Sequence, residues 1–461
     1  MIRAVVVGGG IAGLAAAHEL AGRPGVSVTL FEAGDRPGGK IRSAPLAGLD
    51  VDLGPDAFLA RRPEARELCR ELGLGDELVA PARSEAYLWC GGSLRRLPGG
   101  LDLGVPARFL PLARSRTLSP RGLARVAAEP LLPGRPLEGD VALGSVVRRR
   151  LGGEAHRRLV DPLVGSVNAG DIDRLSIEVT APSLAEAARR HRSLVLGVRR
   201  RAPRPDPDRG GEPAFLTVAG GLGRLVDTLV ASLVARGVDL RVGARVDALV
   251  PSGDGGYRLV SPPGVITADV VVLATPAFVT APLLAPLASE VAATLAAVDH
   301  ASVALVALAY PAAAVGRRLD GSGFLVARGE GRLTTACSWA SSKWSHLRRP
   351  GQVVLRASAG RFGDARAGAL DDGALIQRLH LELAEALAIA ADPTEVRVAR
   401  WDRAFPQFRP GHLDRMAAAG EALAAVAPGV ALAGAAVAGV GLPACIGSGR
   451  RAATLVAGRS R

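Results

Sequence analysis

Residues Ile2 to Glu32 read IRAVVVGGGIAGLAAAHELAGRPGVSVTLFE, and this stretch decides the fold. Ile2 to Val7 is a β-branched run that stops at Gly8-Gly9-Gly10. An Ala/Leu-rich helix follows from Ile11 to about Ala21, and a second apolar strand spans Ser27 to Glu32. A strand, a glycine turn, a helix and a strand open a parallel sheet. In Gly8-x-Gly10-x-x-Gly13 each glycine has a physical task. Gly8 permits the tight turn, Gly10 lets a pyrophosphate approach the backbone, and Gly13 lets helix and strand pack closely. The helix N-terminus then turns its free N–H groups and positive end toward the phosphates. Glu32 stands about twenty residues past Gly13, where a carboxylate accepts from ribose hydroxyls. Ile11 and Ala12 in the first helical turn, and Ala33 after the acid, complete this group of candidate dinucleotide contacts.

Outward from this unit, the pattern changes between about Gly92 and Arg201. Helical, Arg-studded segments such as Ser145 to Val160 and Leu184 to His191 dominate there. Arg199 to Pro213 carries several prolines and charges and is expected to be a flexible linker. Strand-like runs return at Arg241 to Val250 and Val270 to Ala274, then at Ala304 to Ala309, Val353 to Ala357 and Val396 to Trp401. One amphipathic helix is expected at about Asp372 to Ala390. Val430 to Ala436 predicts a last strand, with a helix from about Pro443. No internal repeat is present. The expected architecture is α/β: a nucleotide-binding sheet with strands from both chain ends and the middle, and two further modules inserted between them.

The 461 residues exceed one ordinary domain. The net charge is +13 and the pI about 10.9, which raises the question of nucleic acid or a membrane. The lysines are Lys40 and Lys343, and the rest of the 57 basic residues are Arg, a bias of codon usage more than of a phosphate-binding surface. Aromatics are only 3%, too few for base-stacking platforms, so no nucleic-acid partner is expected. The basic field still suits a polyanionic small molecule or an acidic lipid surface. Cys69, Cys90, Cys337 and Cys445 form no C-x-x-C pair and fit no zinc spacing, so no metal is expected and a reduced, cytosolic protein is. Ile2 to Val7 runs straight into the glycines and is no signal peptide. The uncharged runs Ala422 to Gly449 and Val270 to Ser289 are broken by prolines and are not expected to span a membrane.

Two further motifs bear on the cofactor. Gly38-Gly39-Lys40 follows the acidic residue, and a glycine pair with a base beneath the pyrophosphate is typical of FAD proteins of the amine-oxidase type. Gly439-Val440-Gly441-Leu442-Pro443 precedes the last helix. Its glycines allow backbone approach, Pro443 suits a first helical turn, and the helix N-terminus is placed to meet the pyrimidine end of a flavin. No second Gly-x-Gly-x-x-Gly unit follows a strand, so a separate NAD(P)H domain is not indicated, and oxygen or a small acceptor is expected to re-oxidise the flavin.

With these motifs in place the chain resembles the protoporphyrinogen/coproporphyrinogen oxidase family, and is most similar to the Gram-positive coproporphyrinogen III oxidases. The matching stretches are VVVGGGIAGLAAAHEL, FEAGDRPGGKIRS, DLGPDAFLARR, DPLVGSVNAGDIDRLS, HRSLVLGVRR, TACSWASSKWSH, RWDRAFPQFRPGHLDR and GVGLPACIGSGRRAA. The resemblance implies a discontinuous Rossmann-like FAD-binding domain, an antiparallel-sheet substrate domain and an inserted helical domain of membrane-associating type. The corresponding boundaries are 1–58, 221–280 and 408–461 for FAD, 59–91, 201–220 (with the linker) and 281–407 for substrate, and 92–200 for the helical part. It implies that Gly8, Gly10, Gly13, Glu32, Gly39, Lys40 and Arg42 line the ADP half of FAD. Gly54, Pro55, Asp56 and Ala57 lie beside the isoalloxazine ring. Val246, placed on the Arg241 to Val250 strand, meets the adenine, and Val440, Gly441 and Leu442 meet the pyrimidine edge. Two positions depart from the family. Asn168 stands where relatives commonly carry Tyr, and Ala86 where eukaryotic protoporphyrinogen oxidases hold a propionate-binding Arg.

The implied reaction is oxygen-dependent, six-electron oxidation of coproporphyrinogen III in heme biosynthesis, in three flavin turnovers releasing peroxide. The implied location is the cytoplasm, with peripheral contact at the inner membrane face and transient contact with the next enzyme of the pathway. The cofactor carries the chemistry, so no side chain is nominated as catalytic acid or base. Asp56 and His412 are the titratable groups within motifs, and His412 is read as a hydrogen-bonding residue of a turn. Arg61, Arg62, Lys343 and Arg361 are nominated as rim cations for the propionates, and Asn168 as a further substrate candidate. Cys445 lacks the flanking glycine pair of covalent flavin attachment and is expected to be a buried thiol, leaving FAD non-covalent. Protoporphyrinogen IX is the alternative substrate. An amine oxidase or carotenoid desaturase on the same fold, and a non-catalytic FAD scaffold, are more remote readings.

Overall fold

The structure is a computed structural model and describes residues 1–133, 135–201, 213–253, 255–262 and 264–458. A five-stranded sheet has the order Asp239–Val242, Val26–Glu32, Ile2–Val7, Val270–Leu273, Val430–Leu432. All four pairings are parallel. The first strand is buried on both faces. Ala4 and Val6 pack under the helix Ile11–Ala21 and the last helix, Leu442–Gly458, while Val5 and Val7 face an opposite layer built partly from 277–298 and 416–427. The expected sheet, drawn from both chain ends and the middle, is present.

Positive-φ glycines redraw several expected elements. The run 241–250 is not one strand: Gly243 adopts φ +69° and ends it. Gly243 and Ala244 donate their N–H groups to Gly34 and Glu32 carbonyls (2.8 and 2.9 Å). The chain then enters a three-stranded antiparallel sheet, Ala248–Pro251, Tyr257–Ser261 and Gly264–Ala268. Val246 therefore sits in the crossing between two sheets, buried, not on a strand. The last strand stops at Leu432, because Gly434 (φ +107°) turns the chain into one helical turn, Ala435–Ala438. The expected helix 145–160 is broken at Gly152 (φ +87°) into Leu143–Leu151 and a wide π-type helix, His156–Gly165, with Pro162 inside. Proline lacks a donor and clashes one turn back, which disfavours a regular α-helix there.

A second sheet has seven strands, in the order Glu395–Pro406, His300–Pro311, Gln352–Ala359, Thr334–Ser338, Gly323–Val326, Ala86–Cys90, Ser93–Arg96. It is antiparallel except for one parallel pair, Gly323–Val326 with Ala86–Cys90. The two-residue period of a strand divides its residues between two cores. Val306, Leu308 and Tyr310 pack under the helix Asp372–Leu387, while Ala307 and Ala309 face Leu46, Val51, Leu53 and Trp344. After a short two-stranded ribbon, Leu101–Asp102 with Val105–Pro106, the stretch 109–201 folds mainly as short helices around a core that includes Leu112, Val147, Leu159 and Leu184. Most of the expected linker, 202–212, lies outside the described residues; Arg199–Arg201 end the helix Leu194–Arg201.

Candidate functional site

The glycine-rich turn is shaped by backbone contacts that leave no room for side chains, except where a ligand belongs. Gly8 adopts φ +106°, and a Cβ there would lie 3.0 Å from the Ala274 carbonyl. A Cβ on Gly13 would fall 1.9 Å from the Gly8 oxygen, so the helix is pressed onto the turn. A Cβ on Gly10, by contrast, would meet nothing within 4 Å. Glu32 braces the turn: one carboxylate oxygen accepts from the Gly9 N–H and the other from the Gly34 N–H, both at 2.7 Å. A Cβ on Gly9 would press within 2.8 Å of that carboxylate, which explains the middle glycine that the spacing motif leaves unspecified. The second loop docks on the first: the Gly38 N–H donates to the Gly9 carbonyl at 2.7 Å, and a Cβ on Gly39 would lie 3.1 Å from Gly10 Cα.

Lys40 extends from this loop. Its side chain is exposed, and the protein packed around its base lowers its pKa by desolvation; the Cys445 thiol is its electrostatic neighbour. No carboxylate pairs with Lys40 among the described residues. Gly54 crosses directly above, where a Cβ would sit 1.9 Å from the Lys40 oxygen, and the Leu53 N–H donates to the Arg42 carbonyl at 2.7 Å. The Arg42 side chain is exposed, as is Ala33. From the far end of the chain, Gly439 (φ +103°) has open space around its missing side chain, and Gly441 faces only the Pro443 ring at 3.9 Å. Val440 is half-buried and Leu442 buried at the start of the last helix. That helix lies on the first one so closely that a Cβ on Gly449 would be 2.0 Å from the Ala12 oxygen. Gly10, Gly39, Lys40 and Gly54 are thus linked contact by contact, with Cys445 an electrostatic neighbour of Lys40, open glycine faces at Gly10 and Gly439 and two helix N-termini nearby. These residues fit an extended, anionic dinucleotide. Cys445 is buried, its thiol pushed up to about 11 by burial.

Beyond Gly54 the loop carries Pro55, Asp56 and Ala57, all half-buried. The Asp56 carboxylate accepts from Lys343 Nζ at 2.9 and 3.1 Å and from Trp344 Nε1 at 3.1 Å, and pairs with Arg356 at 2.8 Å. Burial alone would raise its pKa, but Lys343 and Arg356 outweigh that and hold it well below the usual carboxylate range. Arg356 also donates to the Gly54 carbonyl. Arg356 and Trp344 were not among the expected site residues. The signal for Arg356 was a charge inside the apolar run VVLRASA; Trp344 follows Lys343 in the SKW motif.

The substrate candidates divide. Arg61 and Arg62 are exposed ahead of the helix Pro63–Glu71, Arg62 pairing with Glu64 at 3.0 Å and Arg61 with no ion partner among the described residues. Lys343 and Arg361 are not free rim cations. Lys343 serves Asp56, and Arg361 pairs with the fully buried Asp161 at 2.9 Å and donates to the Gly170 carbonyl. Asn168 is buried; its side-chain amide donates to the Val164 carbonyl at 2.9 Å, so that donor caps its own helix. His412 is buried, donates from Nε2 to the Ala436 carbonyl at 2.7 Å, and has its pKa lowered chiefly by burial. It is the hydrogen-bonding residue expected from its turn.

Residues 11–457 match the family model "Flavin containing amine oxidoreductase". The coproporphyrinogen III oxidase of Bacillus subtilis (strain 168) is 34% identical, over 97% of this chain and 96% of its own length. The chloroplastic protoporphyrinogen oxidase of Oryza sativa subsp. japonica is 32% identical, over 96% and 85%. A solved structure from Exiguobacterium sp. 255-15 superposes with a TM-score of 0.87 at 32% identity, covering 98% of each chain. The glycine cradle, the cation beneath it and these full-length likenesses agree: the chain belongs to the flavin-containing amine oxidoreductases, in the branch that holds the coproporphyrinogen III oxidases.

Proposed function

We propose that this chain oxidises coproporphyrinogen III to coproporphyrin III, with FAD as bound cofactor and oxygen as acceptor. The observation that carries the proposal is the combination of an intact dinucleotide cradle with end-to-end likeness to a coproporphyrinogen III oxidase. Three two-electron steps account for the six electrons and six hydrogens removed, and three molecules of oxygen leave as three of peroxide. When bound, the flavin supplies hydride acceptance and reaction with oxygen. The protein binds and positions. The turn Gly8–Gly13 and Lys40 hold the pyrophosphate, Glu32 the ribose, the Val246 crossing the adenine, and Val440 to Leu442 the pyrimidine edge. In this reading 1–58, 221–280 and 408–461 are the cofactor parts, and the seven-stranded sheet and helical module enclose the macrocycle. Arg61, which has no ion partner among the described residues, is the rim cation for a propionate. Among the described residues no helix is long and apolar enough to cross a membrane. Exposed Phe109 and Leu110, beside Arg108, support peripheral contact from the cytoplasmic side.

Steady-state oxidation of coproporphyrinogen III and protoporphyrinogen IX under air tests the proposal, read by porphyrin fluorescence and peroxide. Faster turnover of coproporphyrinogen is expected. Equal or faster turnover of protoporphyrinogen selects the second reading, which the rice relative favours.

A further inference from the structure

Lys343 and Arg356 reach Asp56 from the segment Ala340–Lys343 and the strand Gln352–Ala359, while Asp56 rides on the loop that crosses Lys40. Arg356 is 5% exposed, and Asp56 and Lys343 about one-sixth exposed, so the pairing is made inside the protein. Trp344 completes it from beneath, its ring 4.9 Å from Lys343 Nζ. Three other titratable groups adjoin the cluster, among them the buried Cys337 thiol on the strand beside Arg356. Asp52 is anchored by the Ser43 hydroxyl at 2.6 Å and the Leu222 N–H at 3.1 Å, and His346 stacks on Trp344 at 6.1 Å.

We propose that Asp56, Lys343 and Arg356 are positioning residues of the flavin site: they fix the Gly54–Ala57 loop and set the electrostatic potential felt by the bound cofactor. The inference rests on the flavin reading above. It gives Lys343 a role other than propionate capture. A guanidinium and an ammonium converging on one interior carboxylate brace it from two elements, and loss of that carboxylate would leave two interior cations uncompensated. Negative charge develops in the site on reduction, so each member acts on the reduction potential with the sign of its own charge.

The experiment measures the midpoint potential of bound FAD in the purified holoprotein, without porphyrinogen. Lys343→Met is expected to lower the potential, Asp56→Asn to raise it, and Lys343→Arg to leave it near wild type. In turnover, Lys343→Met should change kcat while KM for coproporphyrinogen stays within about twofold. Loss of FAD from Lys343→Met and Asp56→Asn, with retention by Lys343→Arg, also supports the proposal, since the charge pair is then what holds the loop. Shifts of one sign in both variants, no shift, loss of FAD from Lys343→Arg, or a rise confined to KM would overturn it. Wild-type protein that ignores porphyrinogens while the variants shift in opposite directions would sink the proposed substrate and leave this inference standing.

Discussion

At the scale of single residues, the glycines separate folding from binding. Gly13 is required by the protein itself: its missing Cβ would collide with the Gly8 oxygen at 1.9 Å. Gly13→Val should therefore abolish FAD retention and yield colourless protein, checked by the 450 nm to 280 nm absorbance ratio. Gly10 differs. Its backbone is extended at φ −70°, and a Cβ there meets no protein atom. Gly10→Ala should melt like wild-type apoprotein yet bind FAD at least tenfold more weakly, about 1.4 kcal/mol, because only the ligand occupies that space. An unchanged FAD affinity by fluorescence titration would remove the pyrophosphate from this turn. Cys445 makes a third residue-scale case. Burial pushes its thiol up to about 11, so little thiolate exists at neutral pH to attack a flavin. Acid denaturation should release all flavin into the filtrate; colour left on the precipitate would mean a covalent bond.

Between elements, the π-type helix and the loop behind it are clasped to the large sheet by ion pairs. Asp161 is fully buried against Arg361 at 2.9 Å, and Arg328 lies 3.6 Å away. Arg328 pairs with Asp171 at 2.6 Å, and Asp173 with His156 at 2.8 Å. Asp161→Asn leaves interior guanidinium charge uncompensated and should cost about 3–5 kcal/mol, read as a lower denaturant midpoint. The pH dependence has a definite sign. Burial raises the Asp171 and Asp173 pKa values, but hydrogen bonds and charge from Arg328 for the first, and from Arg148 and His156 for the second, bring them below normal. Carboxyls depressed in the folded state contribute stability above the unfolded value of about 3.9, and lose it as pH falls through the folded values. Stability should hold from pH 7 to about 5 and fall below about 4, with part of that fall missing in Asp171→Asn. This clasp could not be read from the sequence, where Asp161 and Arg361 stand far apart among dozens of other charges. The strands and helices were legible because their periodicity is local. Their ends were not where a glycine at positive φ, Gly243, Gly434 or Gly152, turned a run that composition alone carries on.

At the scale of the molecule, the glycine-built turn was legible and the pairing of the nominated cations was not, for one physical reason. A dinucleotide is held mostly by backbone, and backbone geometry leaves glycines at fixed spacing. Propionates are held by side-chain cations, and in a chain of 57 basic residues only tertiary pairing tells a spoken-for arginine from a free one. Lys343 and Arg361 proved to be paired inside; Arg61 has no ion partner among the described residues. The net charge of +13 still gives a positive field. Coproporphyrinogen III carries four propionates, protoporphyrinogen IX two propionates and two apolar vinyls. A charge-assisted contact contributes roughly 1.5–3 kcal/mol when partly buried and far less when solvated. With about 1.4 kcal/mol net for the extra pair, kcat/KM should favour coproporphyrinogen about tenfold. Salt screens exposed contacts first, so the preference should shrink as ionic strength rises. Arg61→Ala should raise KM for coproporphyrinogen more than for protoporphyrinogen and leave the flavin spectrum unchanged. A preference that is absent, and indifferent both to salt and to Arg61, would remove the four-carboxylate substrate while leaving the flavin oxidase intact.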